Sequence, residues 1–289
     1  MRSFRYARPE TLSDALALMN EYGPNATVLA GGTDLIVRLR TGRALPAMVI
    51  DLKRVPALHT DIRECGAFLR VGAGTVMTDL IADERVRSRF PALAEAAHSV
   101  GSVQIRNRAT LAGNICNASP AADTVPAMLV YGAVVNLVSQ AGPRCVLLKD
   151  FFVGPGRSVL RRGELVESID LPLPTLKQGS CFERITRRRG VDLATINLCC
   201  LVKASGETLF AYGAVAPTPL LVRDDSGKLG NPSLNEREKE RILRRLVAHA
   251  SPITDVRAES DYRAAMLLTT SRRALQTALE RLQLQEVTL

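Results

Sequence analysis

The 289-residue chain contains no tryptophan, and only 4% of its residues are aromatic. Sequence-tolerant binding of single-stranded nucleic acid relies on exposed aromatic rings. The net charge of +9 therefore points to a solvated basic surface or to docking on a more acidic protein, and no nucleic-acid partner is expected. The six cysteines, at 65, 116, 145, 181, 199 and 200, form no C-x-x-C pair and have no histidine at ligand spacing. That argues against any metal site in this chain and leaves reduced, mostly buried thiols. Histidines 59, 98 and 249 fall in unrelated segments, so no catalytic triad is suggested and no catalytic residue is assigned. No apolar run is long enough to span a bilayer, and the first residues lack the apolar core of a signal peptide. The expectations are no membrane insertion and a cytoplasmic location. Neither G-x-G-x-x-G nor G-x-x-x-x-G-K-[ST] occurs, which removes the nicotinamide fingerprint and the P-loop.

Two short stretches rich in small residues and side-chain amides are present instead. The first is LAGGTDL at residues 29–35 and the second is QIRNRATLAGNICNASPAAD at residues 104–123. Such runs let backbone N–H groups come close to a phosphate-bearing ligand, an approach that side chains larger than glycine obstruct. In the first stretch the backbone around Gly31, Gly32, Thr33 and Asp34 is the candidate pyrophosphate cradle, with Leu29, Ala30 and Leu35 framing it. Thr33 adds a hydroxyl. A carboxylate does not welcome phosphate, so Asp34 is expected to cap a helix or to bond a ribose or ribityl hydroxyl. In the second stretch Thr110, Asn114, Asn117 and Asp123 bring polar groups, while Ala109, Ala112 and Gly113 keep the wall thin.

The periodicities give an organisation for these stretches. A T-x-x-D pattern at Thr11 and Asp14 opens an amphipathic helix ending near Gly23. Residues 26–30 read as a buried strand, 34–40 as a returning helix and 48–52 as another strand. This small parallel unit places the first stretch at the carboxyl end of its strand. A second block, from about residue 57, has a strand at 68–71, helices at 79–86, 91–97 and 126–131, and strands at 133–139, 144–148 and 165–171, mainly antiparallel in character. The segment PLPTLKQGS at 172–180 breaks both periodicities and marks a boundary near 175. Strand candidates at 181–188, 195–203 and 208–215, then helices at 235–249 and 260–284, describe a small α+β domain.

Taken together, the two stretches, the opening FRYARPETLSDALAL, VGAGT at 71–75, FFVGPGRSVL at 151–160 and AYGAVAPTPL at 211–220 resemble the FAD-binding medium subunit of the molybdenum hydroxylases, the xanthine dehydrogenase and carbon monoxide dehydrogenase family. The resemblance spans nearly the whole chain. It implies an α+β fold: a two-subdomain FAD-binding fold of the vanillyl-alcohol-oxidase/PCMH type over residues 1–175 (subdomains about 1–56 and 57–175). A C-terminal domain over 176–289 follows, with a three-stranded antiparallel sheet plus helices. It implies FAD in this chain, with Thr110, Gly113, Asn114 and Asn117 along the diphosphate and ribityl region, Asp123 near the sugar part, and Ile105 and Cys116 as apolar contacts. It also sets Asp192 and Leu193 beside the isoalloxazine ring, although Gly190 and Val191 depart from the residue types usual before them. Partner chains are implied too: a large molybdopterin subunit and a small subunit with two [2Fe–2S] clusters, in a heterotrimer or a dimer of heterotrimers. The implied function is electron transfer from the clusters through FAD to NAD⁺, oxygen or a quinone. Two other readings stay open, a stand-alone FAD-dependent oxidoreductase and a non-catalytic assembly subunit that has lost FAD.

Overall fold

The computed structural model describes residues 2–58 and 61–287, with side chains up to residue 284; His59 lies outside the described residues. The chain opens with β1 (Arg5–Ala7), α1 (Leu12–Tyr22), β2 (Ala26–Leu29), α2 (Leu35–Arg40) and β3 (Met48–Asp51). The Thr11 hydroxyl accepts the Asp14 N–H at 3.1 Å and caps α1, as the T-x-x-D pattern requires. Gly23, at φ +52°, ends that helix. The strands form a parallel sheet in the order β1-β3-β2. Strand β1 was not expected: a three-residue edge strand carries too little alternation to be read.

Next come β4 (Ile62–Cys65), β5 (Phe68–Gly72), α3 (Met77–Ala82), α4 (Glu84–Arg89), α5 (Pro91–His98), α6 (Val103–Arg106), α7 (Leu111–Cys116), α8 (Thr124–Val130), β6 (Val134–Ser139) and β7 (Gly142–Leu147). The hairpin β8 (Phe152–Gly154) and β9 (Arg157–Ser158) and the long strand β10 (Leu165–Pro172) follow. The main sheet is antiparallel, in the order β4-β5-β10-β6-β7. The single helix expected at 79–86 is two helices. Asp83 leaves the helical region at ψ 123° and its carboxylate takes the N–H groups of Arg85 and Val86, so it stops α3 and caps α4.

The last part holds β11 (Gln178–Ile185), β12 (Ile196–Lys203), β13 (Thr208–Gly213), β14 (Leu220–Arg223), α9 (Glu236–Val247) and α10 (Ser260–Val287). Its sheet has four antiparallel strands, β11-β12-β13-β14, one more than the three expected. Pro217 and Pro219 mask β14 in the sequence, because they stand just before the strand and cost it no ladder bond. Helix α10 is unbroken.

Strand β12 explains how the pieces cohere. Cys199 and Leu201 face a core built on the antiparallel sheet, α3 to α5, α7 and α8. Ile196, Leu198, Cys200 and Val202 face a second core under α9 and α10. A strand buried on both faces reads as a near-continuous apolar run, and INLCCLV is one, interrupted only by Asn197. The adjacent Cys199 and Cys200 thus sit in different cores, with burial holding both thiols protonated. All six cysteines are free, and no helix among the described residues is long and apolar enough to cross a membrane.

On the far face, β11 lies directly on α10. A Cβ on Gly179 would fall 1.9 Å from the Ala278 carbonyl oxygen and 2.7 Å from the Leu282 nitrogen. Gly179→Val is expected to cost about 3 kcal/mol of unfolding free energy in urea titrations. Gly154→Ala, whose Cβ meets nothing within 4 Å, should stay within about 0.5 kcal/mol of the parent.

Candidate functional site

The first stretch forms the loop from β2 into α2, at the carboxyl edge of the parallel sheet. Gly32 adopts φ +79°, open to glycine and strained for other residues. Among the described residues the N–H groups of Gly32, Thr33, Asp34 and Leu35 find no protein acceptor. Four successive free donors on a bent backbone form an anion-binding concavity. Asp34 stands at the N-cap position of α2, but its side chain makes no capping bond. Of the two roles expected for it, helix capping is therefore not the one the structure adopts. Its surface is open, yet surrounding protein raises its pKa against the charge of Arg38.

The second stretch spans α6, α7 and the turn into α8. Two backbone bonds pin it to the end of the VGAGT segment and the start of α3, Leu111 N–H to Thr75 O at 3.1 Å and Met77 N–H to Ala109 O at 2.9 Å. Thr110 caps α7, its hydroxyl accepting the Gly113 N–H at 3.0 Å. Asn114 Oδ1 accepts the Thr124 hydroxyl at 2.8 Å, which ties α7 to α8 and leaves the Asn114 amide N–H₂ free. Asn117 is the C-cap of α7. Ala109 is buried, and Ile105 and Gly113 are exposed. Cys116 has accessible surface but is crowded by protein, and that crowding pushes its thiol up to about 12.

The two stretches meet backbone to backbone. A Cβ on Gly31 would lie 2.0 Å from the carbonyl oxygen of Arg108 and 3.1 Å from the Ala109 Cα, so only glycine fits there.

Asp123 sits deeper than the sequence suggested. It is 8% exposed, and its Oδ1 accepts the Asn197 amide at 2.8 Å, with Arg184 Nε 3.4 Å away. Arg184 also donates to the carbonyls of Ser99, at 2.6 Å, and Asp192. One guanidinium thus joins α5, the second stretch and the 187–194 loop. Sequence reasoning missed Arg184, because an arginine in a strand carries no local signal of this role. Burial raises the Asp123 carboxyl to about 6 against the pull of Arg184. Asn197 Oδ1 and Arg184 Nε are buried with no hydrogen-bond partner. Ala214 N–H donates to Pro120 O at 2.7 Å, closing the same interface. Asp192 is bound by Arg187 through two hydrogen bonds, which lower it to about 2. Leu193 beside it is 61% exposed.

Recesses elsewhere do not include either stretch. One, of about 690 Å³, is lined by residues such as Lys228, Asn231 and Arg237. Another, of about 390 Å³, lies among Ile185, Arg187, Arg257 and Tyr262. No group of His, Cys, Asp or Glu among the described residues is arranged to hold a metal ion.

A bent loop of free N–H donors, a thin wall of Ala and Gly, and unsatisfied amide groups suit a long ligand carrying phosphates and hydroxyls. The comparisons with known proteins agree. Residues 2–174 match the FAD binding domain in molybdopterin dehydrogenase, and residues 181–278 match the CO dehydrogenase flavoprotein C-terminal domain. The chain belongs to the family of FAD-binding medium subunits of the molybdenum hydroxylases. It is 32% identical to the carbon monoxide dehydrogenase medium chain of Hydrogenophaga pseudoflava, covering 95% of this chain and 96% of that one. It is 31% identical to the xanthine dehydrogenase FAD-binding subunit of Escherichia coli O157:H7, covering 94% and 95%. Among solved structures, the reconstituted CO dehydrogenase from Oligotropha carboxidovorans superposes with a TM-score of 0.91 at 30% identity, covering 97% of this chain and 99% of that one.

The Asp123 shift sets a pH test. A carboxyl raised from 3.8 to about 6 on folding binds its proton more tightly in the folded chain. Its contribution to stability is fully present below pH ~4 and is lost as the pH rises through about 6, by roughly 3 kcal/mol in total. In FAD-free protein, Asp123→Asn should therefore gain stability relative to wild type between pH 4.5 and 7.5. Parallel pH profiles of the two in urea would contradict this.

Proposed function

We propose that this chain is the FAD-containing electron-transfer subunit of a molybdopterin/iron–sulfur hydroxylase complex of the xanthine dehydrogenase type. The contact of Gly31 with the Arg108 carbonyl carries the reading, because it holds the free donors of the first stretch beside the polar wall of the second. When bound, FAD supplies the redox chemistry that this chain lacks, taking electrons singly and releasing them as a pair. The chain binds, orients and shields; no general base is required of it.

In this reading Leu29, Ala30, Gly31, Gly32, Thr33, Asp34 and Leu35 cradle the pyrophosphate, with the Asp34 carboxylate on a ribose or ribityl hydroxyl. Ala109, Thr110, Gly113, Asn114 and Asn117 line the diphosphate and ribityl region, and Ile105 and Cys116 give apolar contact. Asp123 approaches the sugar part from its buried position, while Asp192 and Leu193 border the isoalloxazine ring. The FAD-binding domain ends near residue 175 and the C-terminal domain closes over the ring. The partners are a large molybdopterin subunit, which selects the substrate, and a small subunit with two [2Fe–2S] clusters. They form a heterotrimer or its dimer in the cytoplasm, where free thiols persist. Electrons reach this chain from the clusters and leave for NAD⁺, oxygen or a quinone.

The full chain purified alone and with its partners should carry stoichiometric flavin, released by denaturation and identified as FAD. Gly31→Val should weaken FAD binding by about 100-fold or more while circular dichroism shows a folded chain. A folded wild-type protein that takes up no FAD, alone or in the complex, would overturn the proposal.

A further inference from the structure

Arg263, near the start of α10, is the largest fully buried side chain among the described residues, at 1% exposure. Its Nη1 donates to two carbonyls, Thr195 at 2.8 Å and Ala214 at 2.9 Å, and its Nη2 donates to Asp255 Oδ1 at 2.6 Å. The Nε N–H is buried with no hydrogen-bond partner. Burying a guanidinium with one donor unpaired costs stability, and its contacts account for a charge in this place. Ala214 is held in the left-handed region at φ +63°, a conformation unfavourable for any residue with a Cβ. The other non-glycine residue of positive φ among the described residues is Ala118, at +48°, inside the second stretch. The Ala214 N–H reaches that stretch at the Pro120 carbonyl, 2.7 Å away. The strained residue is thus clamped on both sides, by Pro120 through its N–H and by Arg263 through its carbonyl.

Asp255 extends the clamp. Its Oδ2 accepts Arg257 Nε at 3.1 Å and Nη2 at 2.7 Å, while Arg257 Nη1 donates to the Ala194 carbonyl at 3.3 Å. One carboxylate therefore orients two guanidiniums that grip successive carbonyls, 194 and 195, at the end of the 187–194 loop. Burial works against this carboxylate, yet the Arg257 hydrogen bonds and the two guanidinium charges hold its pKa well below the ordinary value. The loop has little apolar anchorage of its own. Val191 and Leu193 are exposed, and the recess of about 390 Å³ is lined by Ile185, Thr186, Arg187 and Thr195 on one side and by residues of the 257–262 segment on the other. Polar bonds hold the loop in place: Arg184 at the Asp192 carbonyl, and the Asp255 cluster at its far end.

We propose that Arg263 and Asp255 are positioning residues of the FAD site, locking the turn at Ala214 onto the second stretch and fixing the 187–194 loop over the flavin ring. The inference rests on the proposed function, which sets Asp192 and Leu193 beside the isoalloxazine. Neither residue touches the cofactor. Their contribution is to hold in one arrangement the wall that does, so that the ring is kept from solvent.

The test uses the FAD-loaded full chain. Asp255→Ala and Arg263→Gln should keep their FAD per chain, because the loop of residues 29–35 is untouched. Hydrogen exchange over residues 187–195 and 213–215 should become about tenfold faster in both, and the iodide quenching constant of flavin fluorescence should rise about twofold or more. Arg263→Lys, which keeps the charge but cannot span two carbonyls and a carboxylate, should fall between wild type and Arg263→Gln. Gly179→Val, which strains the packing of α10 elsewhere, should leave both readings at wild-type values well below its melting temperature. Unchanged exchange in Asp255→Ala would overturn the clamp, even if Arg263→Gln fails to fold. Faster exchange with unchanged quenching would overturn the placement over the ring, and equal effects from Gly179→Val would reduce the cluster to general stability. Wild-type chain that takes up no FAD would instead contradict the proposed function, while exchange in the FAD-free variants would still report on the clamp.

Discussion

The close approach of the Gly31 backbone to the Arg108 carbonyl is the constraint on which the rest of this molecule depends. Any side chain at position 31 would occupy the place of that oxygen. Because it is absent, the small parallel unit lies against the helical part of the second unit. Both of these loops are short of bulky side chains. The four free N–H groups of residues 32–35 are held by the rest of the fold, since the ladder of β2 with β3 fixes one end of the loop and α2 the other. Preorganised donors of this kind bind an anion without the cost of ordering a flexible segment.

The C-terminal part is joined to this arrangement by two different kinds of interaction. Packing comes from β12, which contributes to both cores and so leaves little apolar surface between the parts uncovered. Direction comes from Arg184, which reads three points at once: Ser99, Asp123 and the carbonyl of Asp192. The cost appears as a buried carboxylate with a raised pKa and as two buried polar atoms, Asn197 Oδ1 and Arg184 Nε, without hydrogen-bond partners. Unsatisfied groups of this kind are uncommon in finished interiors; two of the three among the described residues lie beside the second stretch, and the third is Arg263 Nε on α10.

Much of this was legible in the sequence, and for identifiable reasons. The cap of α1, the parallel unit and the β6-β7 hairpin follow from turn chemistry and from runs long enough to show a period. Strands β1, β8 and β9 are two or three residues long and carry no period, and β14 is screened by its prolines. The division at Asp83 was missed because capping by a mid-segment aspartate looks, in sequence, like one continuous helix. Both stretches stand out as sequence motifs. The partner of Gly31 does not, being a carbonyl in a distant segment that sequence spacing leaves unspecified. Arg184 was hidden for the same reason, as its three contacts come from elements separated in the chain.

The most direct test of the account follows backbone amide resonances of isotope-labelled protein during titration with FAD. The amides of Gly32, Thr33, Asp34 and Leu35 should shift downfield together as they gain phosphate acceptors, with Ala109 to Asn117 responding at the same FAD concentration. Tight FAD binding that leaves the amides of residues 32–35 unmoved would contradict the account, because the cofactor would then be held somewhere other than the loop that Gly31 positions.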